Sequence, residues 1–167
     1  MRKAKGASRR RKPALWSESA RKAARARAVF TNRRGEIGEV AFVHKAMRLG
    51  FVVGRPYGQG RRYDFMVEGG RKLWRVQVKT CATLKNGLYQ VNIRCKTNRI
   101  GHAYAASEVD FVAVYVMPED RWYVLPVLDI GGRVASFFCA KGSGRPDIYA
   151  QYREAWHLLG EPASPPL

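Results

Sequence analysis

Asp64 stands directly before Phe65-Met66-Val67, at the opening of an expected strand, where Asp is depleted and needs a reason. After a turn comes the run Lys72 to Lys79, in which side chains alternate. Trp74, Val76 and Val78 point one way, and Arg75, Gln77 and Lys79 point the other. Taken singly, each has an ordinary reading: Asp64 closes a loop, and the run is a half-solvated strand. Together they bring three polar side chains to one edge. There Asp64 can hold a divalent cation, with an oxygen from Gln77 or a backbone carbonyl, that of Val78, beside it. Lys79 can then sit near a phosphate, orient the attacking water and stabilise developing charge.

A fourth residue belongs with these. The stretch from Glu36 to Leu49 reads as a helix, ended by Gly50. At about 100° per residue, Phe42, Val43, Ala46 and Leu49 share one side, and Glu39 falls within that apolar arc. A carboxylate there is costly unless it is paired or holds a cation. A salt bridge to one of the many arginines is the plain alternative. Glu36 sits in the first turn, where an acid suits the helix dipole, and is read as structural.

The elements that must position these groups read as one α/β domain. Phe51–Gly54, Tyr63–Val67, Lys72–Lys79 and Leu88–Ile93 are expected strands. A Gly- and Arg-rich loop spans 55–62, and Glu68-Gly69-Gly70-Arg71 is a turn. A short helix is expected over 102–107. Phe111–Val116 and Trp122–Leu125 form a hairpin around Pro118-Glu119-Asp120. A final helix, capped by Asp147, packs Ile148, Tyr152, Ala155, Trp156 and Leu159 into the core. Asp110 and Glu108 are read as structural. The expected four-residue site, Glu39, Asp64, Gln77 and Lys79, converges at one edge of the sheet, on which the first helix packs.

Charge narrows the partners. The 167 residues hold 31 Lys plus Arg against 13 Asp plus Glu, a net +18. Residues 1–34 alone carry +12. Such a field attracts polyanions, nucleic acid first. Residues 1–14 are expected to be disordered and 17–30 helical, with Ser17 as N-cap. This arm, through Arg9, Arg10, Arg11, Lys12, Arg33 and Arg34, together with Arg61 and Arg62 of the loop, is expected to neutralise phosphates. No apolar run reaches membrane-spanning length, and no secretory signal opens the chain. The odd, irregularly spaced Cys81, Cys95 and Cys139 point to a reducing, cytoplasmic compartment and away from zinc. The expected organisation is therefore a basic arm over 1–34, a domain over 35–160 and a Pro-rich disordered tail over 161–167.

Asp64 followed by Gln77-Val78-Lys79, after a helix carrying Gly35-Glu36-Ile37-Gly38-Glu39, resembles the PD-(D/E)XK nuclease superfamily. The nearest branch is the bacterial group I intron-associated homing endonucleases. There a Gln like Gln77 replaces the usual acid, and the same Val-Lys-Thr follows. The resemblance covers about residues 35–127 and extends to Tyr104, Glu108-Val109-Asp110-Phe111 and Trp122-Tyr123. It implies a restriction-endonuclease-like mixed β-sheet flanked by helices, with the basic arm as an N-terminal extension. It assigns Glu39, Asp64, Gln77 and Lys79 to catalysis, and Asp64, Gln77, Glu39 and the Val78 carbonyl to the metal. It also implies Mg²⁺, with Mn²⁺ able to substitute, double-stranded DNA as substrate and a 5′-phosphate product. Two departures stand out. Tyr63 replaces the name-giving Pro, and Gln77 leaves one charge less for the metal.

Three functions compete on this reading. One is a metal-dependent DNA endonuclease, homing-like and nucleoid-associated. Another is an inactive DNA- or RNA-binding module that keeps the fold. The third is a basic structural protein of a nucleoprotein particle, which the tail alone would support. Double-strand cleavage needs two sites, which implies a homodimer or a tetramer.

Overall fold

The computed structural model describes residues 17–58, 60–97, 100–132 and 135–167. Arg9, Arg10, Arg11 and Lys12, and the disorder expected over 1–14, lie outside the described residues. Two compact units divide the chain, Met1–Asn32 and Arg33–Leu167.

Helix α1 runs Glu18–Arg48. Ser17 caps it, its Oγ accepting the Ala20 N–H at 3.3 Å. The sequence predicts two helices here, 17–30 and 36–49, and the structure joins them. No proline interrupts the junction, and Thr31 folds its hydroxyl back onto the Arg27 carbonyl at 2.9 Å. Gly50, at φ +86°, ends the helix.

The strands are β1 (Val52–Gly54), β2 (Phe65–Gly69), β3 (Lys72–Cys81), β4 (Leu84–Lys85), β5 (Leu88–Val91), β6 (Cys95–Thr97), β7 (Ile100–His102), β8 (Phe111–Val116), β9 (Arg121–Pro126) and β10 (Ser136–Cys139). A short helix, α2 (Val127–Ile130), follows β9. The main sheet has the order β1-β2-β3-β8-β9. β3 and β8 pair in parallel and the other neighbours antiparallel, so the sheet is mixed. β2 and β3 are joined by Gly70 and Arg71, both at positive φ, as a twisted two-residue hairpin demands. β10-β5-β4 form a second sheet and β6-β7 a two-stranded ribbon. The expected fourth strand is thus β5, outside the main sheet.

β3 lies at the centre and feeds two cores. Val76 and Val78 join Phe42 and Ala46 of α1, Phe65, Trp122 and Trp156 on one face. Cys81 joins Tyr89, Ile93, Tyr104 and Tyr123 on the other. The alternation read from the sequence is therefore the alternation of the two cores.

Three expected elements differ. Residues 102–107 are not a helix: His102 ends β7 and a turn follows. The Arg75 guanidinium takes the carbonyls of Ala106 and Ser107. The final helix is replaced by two 3₁₀ turns, Ala150–Tyr152 and Trp156–Leu159, with Ile148 exposed. Between them Glu154 binds the edge strand β9. Its N–H donates to the Trp122 carbonyl at 2.9 Å and its carboxylate accepts the Trp122 N–H at 2.8 Å. Pairing an open sheet edge outweighs a short helix here. The Pro-rich tail is fastened rather than disordered. Ser164 N–H donates to the Gly50 carbonyl and Leu167 N–H to the Arg48 carbonyl, at 3.1 and 2.9 Å. These bonds serve the chain at and just beyond the end of α1, where carbonyls have no partner inside the helix.

Candidate active site

The antiparallel register of β2 and β3 pairs Phe65 with Val76, and the Asp64 N–H donates to the Val76 carbonyl at 2.9 Å. Extending that register by one residue sets Asp64 opposite Gln77, on the same face. The contact is direct. Gln77 Nε2 donates to Asp64 Oδ2, and the Val78 N–H donates to the same oxygen at 2.9 Å. Gln77 Nε2 also reaches the Val78 carbonyl at 3.2 Å. The amide nitrogen of Gln77, a group of partial positive charge, thus bridges two oxygens, Asp64 Oδ2 and Val78 O.

Lys79 lies two residues further along the same face. Its Nζ stands 5.7 Å from the centre of the Tyr104 ring. Burial pulls its ammonium below the ordinary lysine range, and the charges of Asp64 and Glu39 oppose that shift. For Asp64, burial pushes the carboxyl above its ordinary range, against the Val78 N–H and the charges of Lys79 and Arg55. Both groups are thus desolvated, with opposite charges in mutual reach.

Glu39 comes from the other face. α1 packs on the Val76–Val78 side, so Glu39 and Lys79 start from opposite faces of β3, and Glu39 lies within electrostatic reach of Asp64 and Lys79. Burial raises the Glu39 carboxyl, the charge of Asp64 raises it further, and the charges of Arg55 and Lys79 pull it down. Its direct partner is Arg55, whose guanidinium lies 3.0 Å from Glu39 Oε2. The pairing foreseen as the plain alternative for Glu39 is therefore present, and it stands beside the other three residues. Gly38 allows the close approach of α1. A Cβ at that position would lie 1.8 Å from Thr80 Oγ1 on β3.

Arg55 opens the loop between β1 and β2 and is the residue that sequence reasoning passed over. A cleft of about 450 Å³ runs beside it, lined by Glu39, Val43, Val53, Gly54 and Phe65. Its place at the end of a strand that pairs with the Asp64 strand was the available signal. Of the expected phosphate-binding residues, Arg33 and Arg61 are exposed and Arg34 is half-buried. Arg62 is half-buried and pairs with Glu108 at 3.3 Å.

The donor set has a clear chemical character. Two carboxylates, an amide and a backbone carbonyl are all hard oxygen donors. Among the described residues no group of three His, Cys, Asp or Glu side chains is placed to hold a metal. The bridge made by the Gln77 amide marks where positive charge is accommodated between Asp64 and Val78. These residues fit a hard divalent cation that keeps several of its waters.

A family model described as PD-(D/E)XK endonuclease matches residues 29–159. The chain belongs to the PD-(D/E)XK endonuclease family. Its restriction-endonuclease-like fold agrees with a solved structure, the bacterial homing endonuclease I-Ssp6803I. That protein is 31% identical, with a TM-score of 0.68, over 77% of this chain and 92% of that one. No curated protein matches the chain. PD-(D/E)XK nucleases generally use divalent metal ions, which agrees with the donor set at Asp64. Among the described residues, no helix of this endonuclease is long and apolar enough to cross a membrane.

Proposed function

We propose that this PD-(D/E)XK endonuclease hydrolyses phosphodiester bonds of double-stranded DNA with Mg²⁺, Mn²⁺ being able to substitute, in the manner of a group I intron homing endonuclease. The observation that carries this reading is the Asp64–Gln77–Val78 contact beside a half-buried Lys79. Asp64, the Val78 carbonyl, the Gln77 side-chain oxygen and Glu39 would hold the cation. When bound, it supplies Lewis-acid stabilisation of charge on the phosphate. Lys79, held against Tyr104, orients the attacking water and stabilises negative charge that grows in the transition state. The basic arm, with Arg33, Arg34 and Arg61, neutralises backbone phosphates and fixes the duplex without reading sequence. Cutting both strands brings two copies of the chain together as a dimer or a tetramer. A nucleoid-associated, cytoplasmic setting follows from this substrate.

The test is cleavage of a supercoiled plasmid and a duplex library in Mg²⁺, Mn²⁺ and Ca²⁺. Lys79→Ala and Asp64→Asn are expected to lower the cleavage rate by roughly 10²-fold or more while most binding persists, since each acts mainly on transition-state charge. Binding without metal-dependent nicking on any substrate would favour the inactive binding module, to which the neutral Gln77 lends its support. Undiminished cutting by Lys79→Ala would remove Lys79 from the site.

The arm has its own test. Deleting residues 1–34 is expected to weaken duplex binding and to flatten its salt dependence, because each lost phosphate contact lowers the log–log slope by about 0.9. Equal slopes for the full chain and the truncated one would leave the arm without a role in binding.

A further inference from the structure

Glu39 and Asp64 face two cations, Lys79 and Arg55. Lys79 is half-buried, with its Nζ 5.7 Å from the centre of the Tyr104 ring. Arg55 is more open. Its side chain is 72% exposed, while that of its partner Glu39 is 27% exposed. The pairing engages one terminal nitrogen of a five-donor fork. The guanidinium is kept at the cleft by the Phe65 ring, 5.9 Å away. A divalent cation entering beside both carboxylates would meet this charge as well. With two carboxylates set against a divalent cation, Lys79 and Arg55, the site carries an excess of positive charge that the departure of Arg55 reduces.

Resting on the metal-dependent reading above, we propose that Arg55 is an exchangeable counter-ion. It holds Glu39 while no metal is bound, then shifts its guanidinium to a non-bridging phosphate oxygen of the bound strand and releases Glu39 to the cation. An exposed ion pair is weak, so leaving it costs little. A phosphate offers the fork a charge-assisted, two-pronged partner in return. The exchange couples the two ligands: duplex removes the cation that competes for Glu39, and metal binding frees a guanidinium for the duplex. Arg55 is thus a positioning residue for Glu39 and a phosphate contact in turn.

The experiment is calorimetric titration of the DNA-free protein with Ca²⁺, beside duplex binding in Ca²⁺ over a series of salt concentrations. Arg55→Ala is expected to bind Ca²⁺ roughly two- to fivefold more tightly than wild type without DNA, the strength of an exposed ion pair released. It is expected to bind duplex more weakly, with a log–log salt slope reduced by about 0.9. Unchanged or weaker Ca²⁺ affinity overturns the counter-ion role, and an unchanged slope overturns the transfer to phosphate. Asp64→Asn separates the two readings. If it loses Ca²⁺ while Arg55→Ala gains nothing, Arg55 alone is misassigned. If Asp64→Asn binds Ca²⁺ as wild type does, the metal site itself falls, and the exchange with it.

Discussion

Arg75 and Lys79 project from the same face of β3, with Gln77 between them, and end in opposite conditions. Arg75 is fully occupied. Its Nε and a terminal nitrogen bind the two oxygens of Asp110 at 3.0 and 2.7 Å, and its remaining reach takes the carbonyls of Ala106 and Ser107. Its own N–H adds a further bond to Asp110, at 2.8 Å. The Asp110 carboxyl, which burial alone would raise, is brought below its ordinary range by these bonds. Further along the same face Asp64 accepts bonds from Gln77 and Val78, yet neither it nor Lys79 is held in a bidentate ion pair like that of Arg75 and Asp110. Lys79 and Asp64 are each pushed towards neutrality by desolvation. One strand therefore carries a finished ion pair that pins the β3–β8 crossover and an unfinished one that leaves capacity for ligands. Satisfied charges read as architecture and under-satisfied ones as chemistry.

The largest expected effect falls on the finished pair. Asp110→Ala removes three bonds to Arg75 and leaves a half-buried guanidinium without its carboxylate. A loss of about 2 kcal/mol of unfolding free energy is expected, less than for a fully buried pair because both side chains keep some solvent. Urea unfolding measures it. A change under about 0.5 kcal/mol, the usual range for surface substitutions, would dissolve the comparison at its stable end.

Gln77→Glu is expected to act on the unfinished end at intermediate size. Without metal it replaces the amide that bridges Asp64 Oδ2 and Val78 O by a third acid beside Asp64 and Glu39. Losing a buried hydrogen bond to a charged acceptor is worth about 1.5 kcal/mol or more. Mg²⁺ or Ca²⁺ is expected to restore that loss and to raise Tm further, since a ligand of the native state stabilises it by mass action. A variant that is as stable as wild type without metal, and no more responsive to metal, would place Gln77 outside the ligand set.

How much of this was legible follows the same division. Alternation along β3 and the opening Asp of β2 set Asp64, Gln77 and Lys79 together, because strand geometry has a period of two and a hairpin fixes register. The β8–β9 hairpin was read for the same reason. What escaped depends on distant partners. α1 runs on through residues 31–35, which the reading left between two helices. Gly38 is kept because Thr80 leaves no room for a Cβ. The final helix yields to Glu154 on the edge of β9, and the turn over 106–108 gives two carbonyls to the Arg75 guanidinium. Arg55 looked like one arginine among many, since its distinction lies in Glu39, sixteen positions away on α1.

The smallest effect, and the one of opposite sign, is expected from Asp64→Asn in metal-free protein. The native Asp64 carboxyl is raised above its unfolded value by burial, which outweighs the Val78 N–H and the charges of Lys79 and Arg55. Ionising it therefore costs the native state more than the unfolded one. That penalty is absent below the unfolded carboxyl range, grows as pH rises through about 4, and is complete above the native value. Asn imitates the protonated acid and still offers an oxygen to the Val78 N–H. The variant is expected to match wild type at pH 3.5 and to equal or exceed it by a few tenths of a kcal/mol at pH 7, the scale of an ordinary surface substitution. Asp110→Asn runs the other way. Its native carboxyl lies below the unfolded value, so its contribution is present above about pH 4 and is lost as pH falls through the native value. Relative to wild type, Asp110→Asn loses stability at pH 7 and less at pH 3.5. Unfolding of both variants in EDTA at the two pH values gives the signs directly. If Asp64→Asn proves less stable than wild type at pH 7 by the same margin as Asp110→Asn, Asp64 is a finished ion pair like Asp110, and the contrast along β3 is lost. Adding Ca²⁺ then reverses the order at the site end alone: wild type gains stability as it binds the ion, and Asp64→Asn does not.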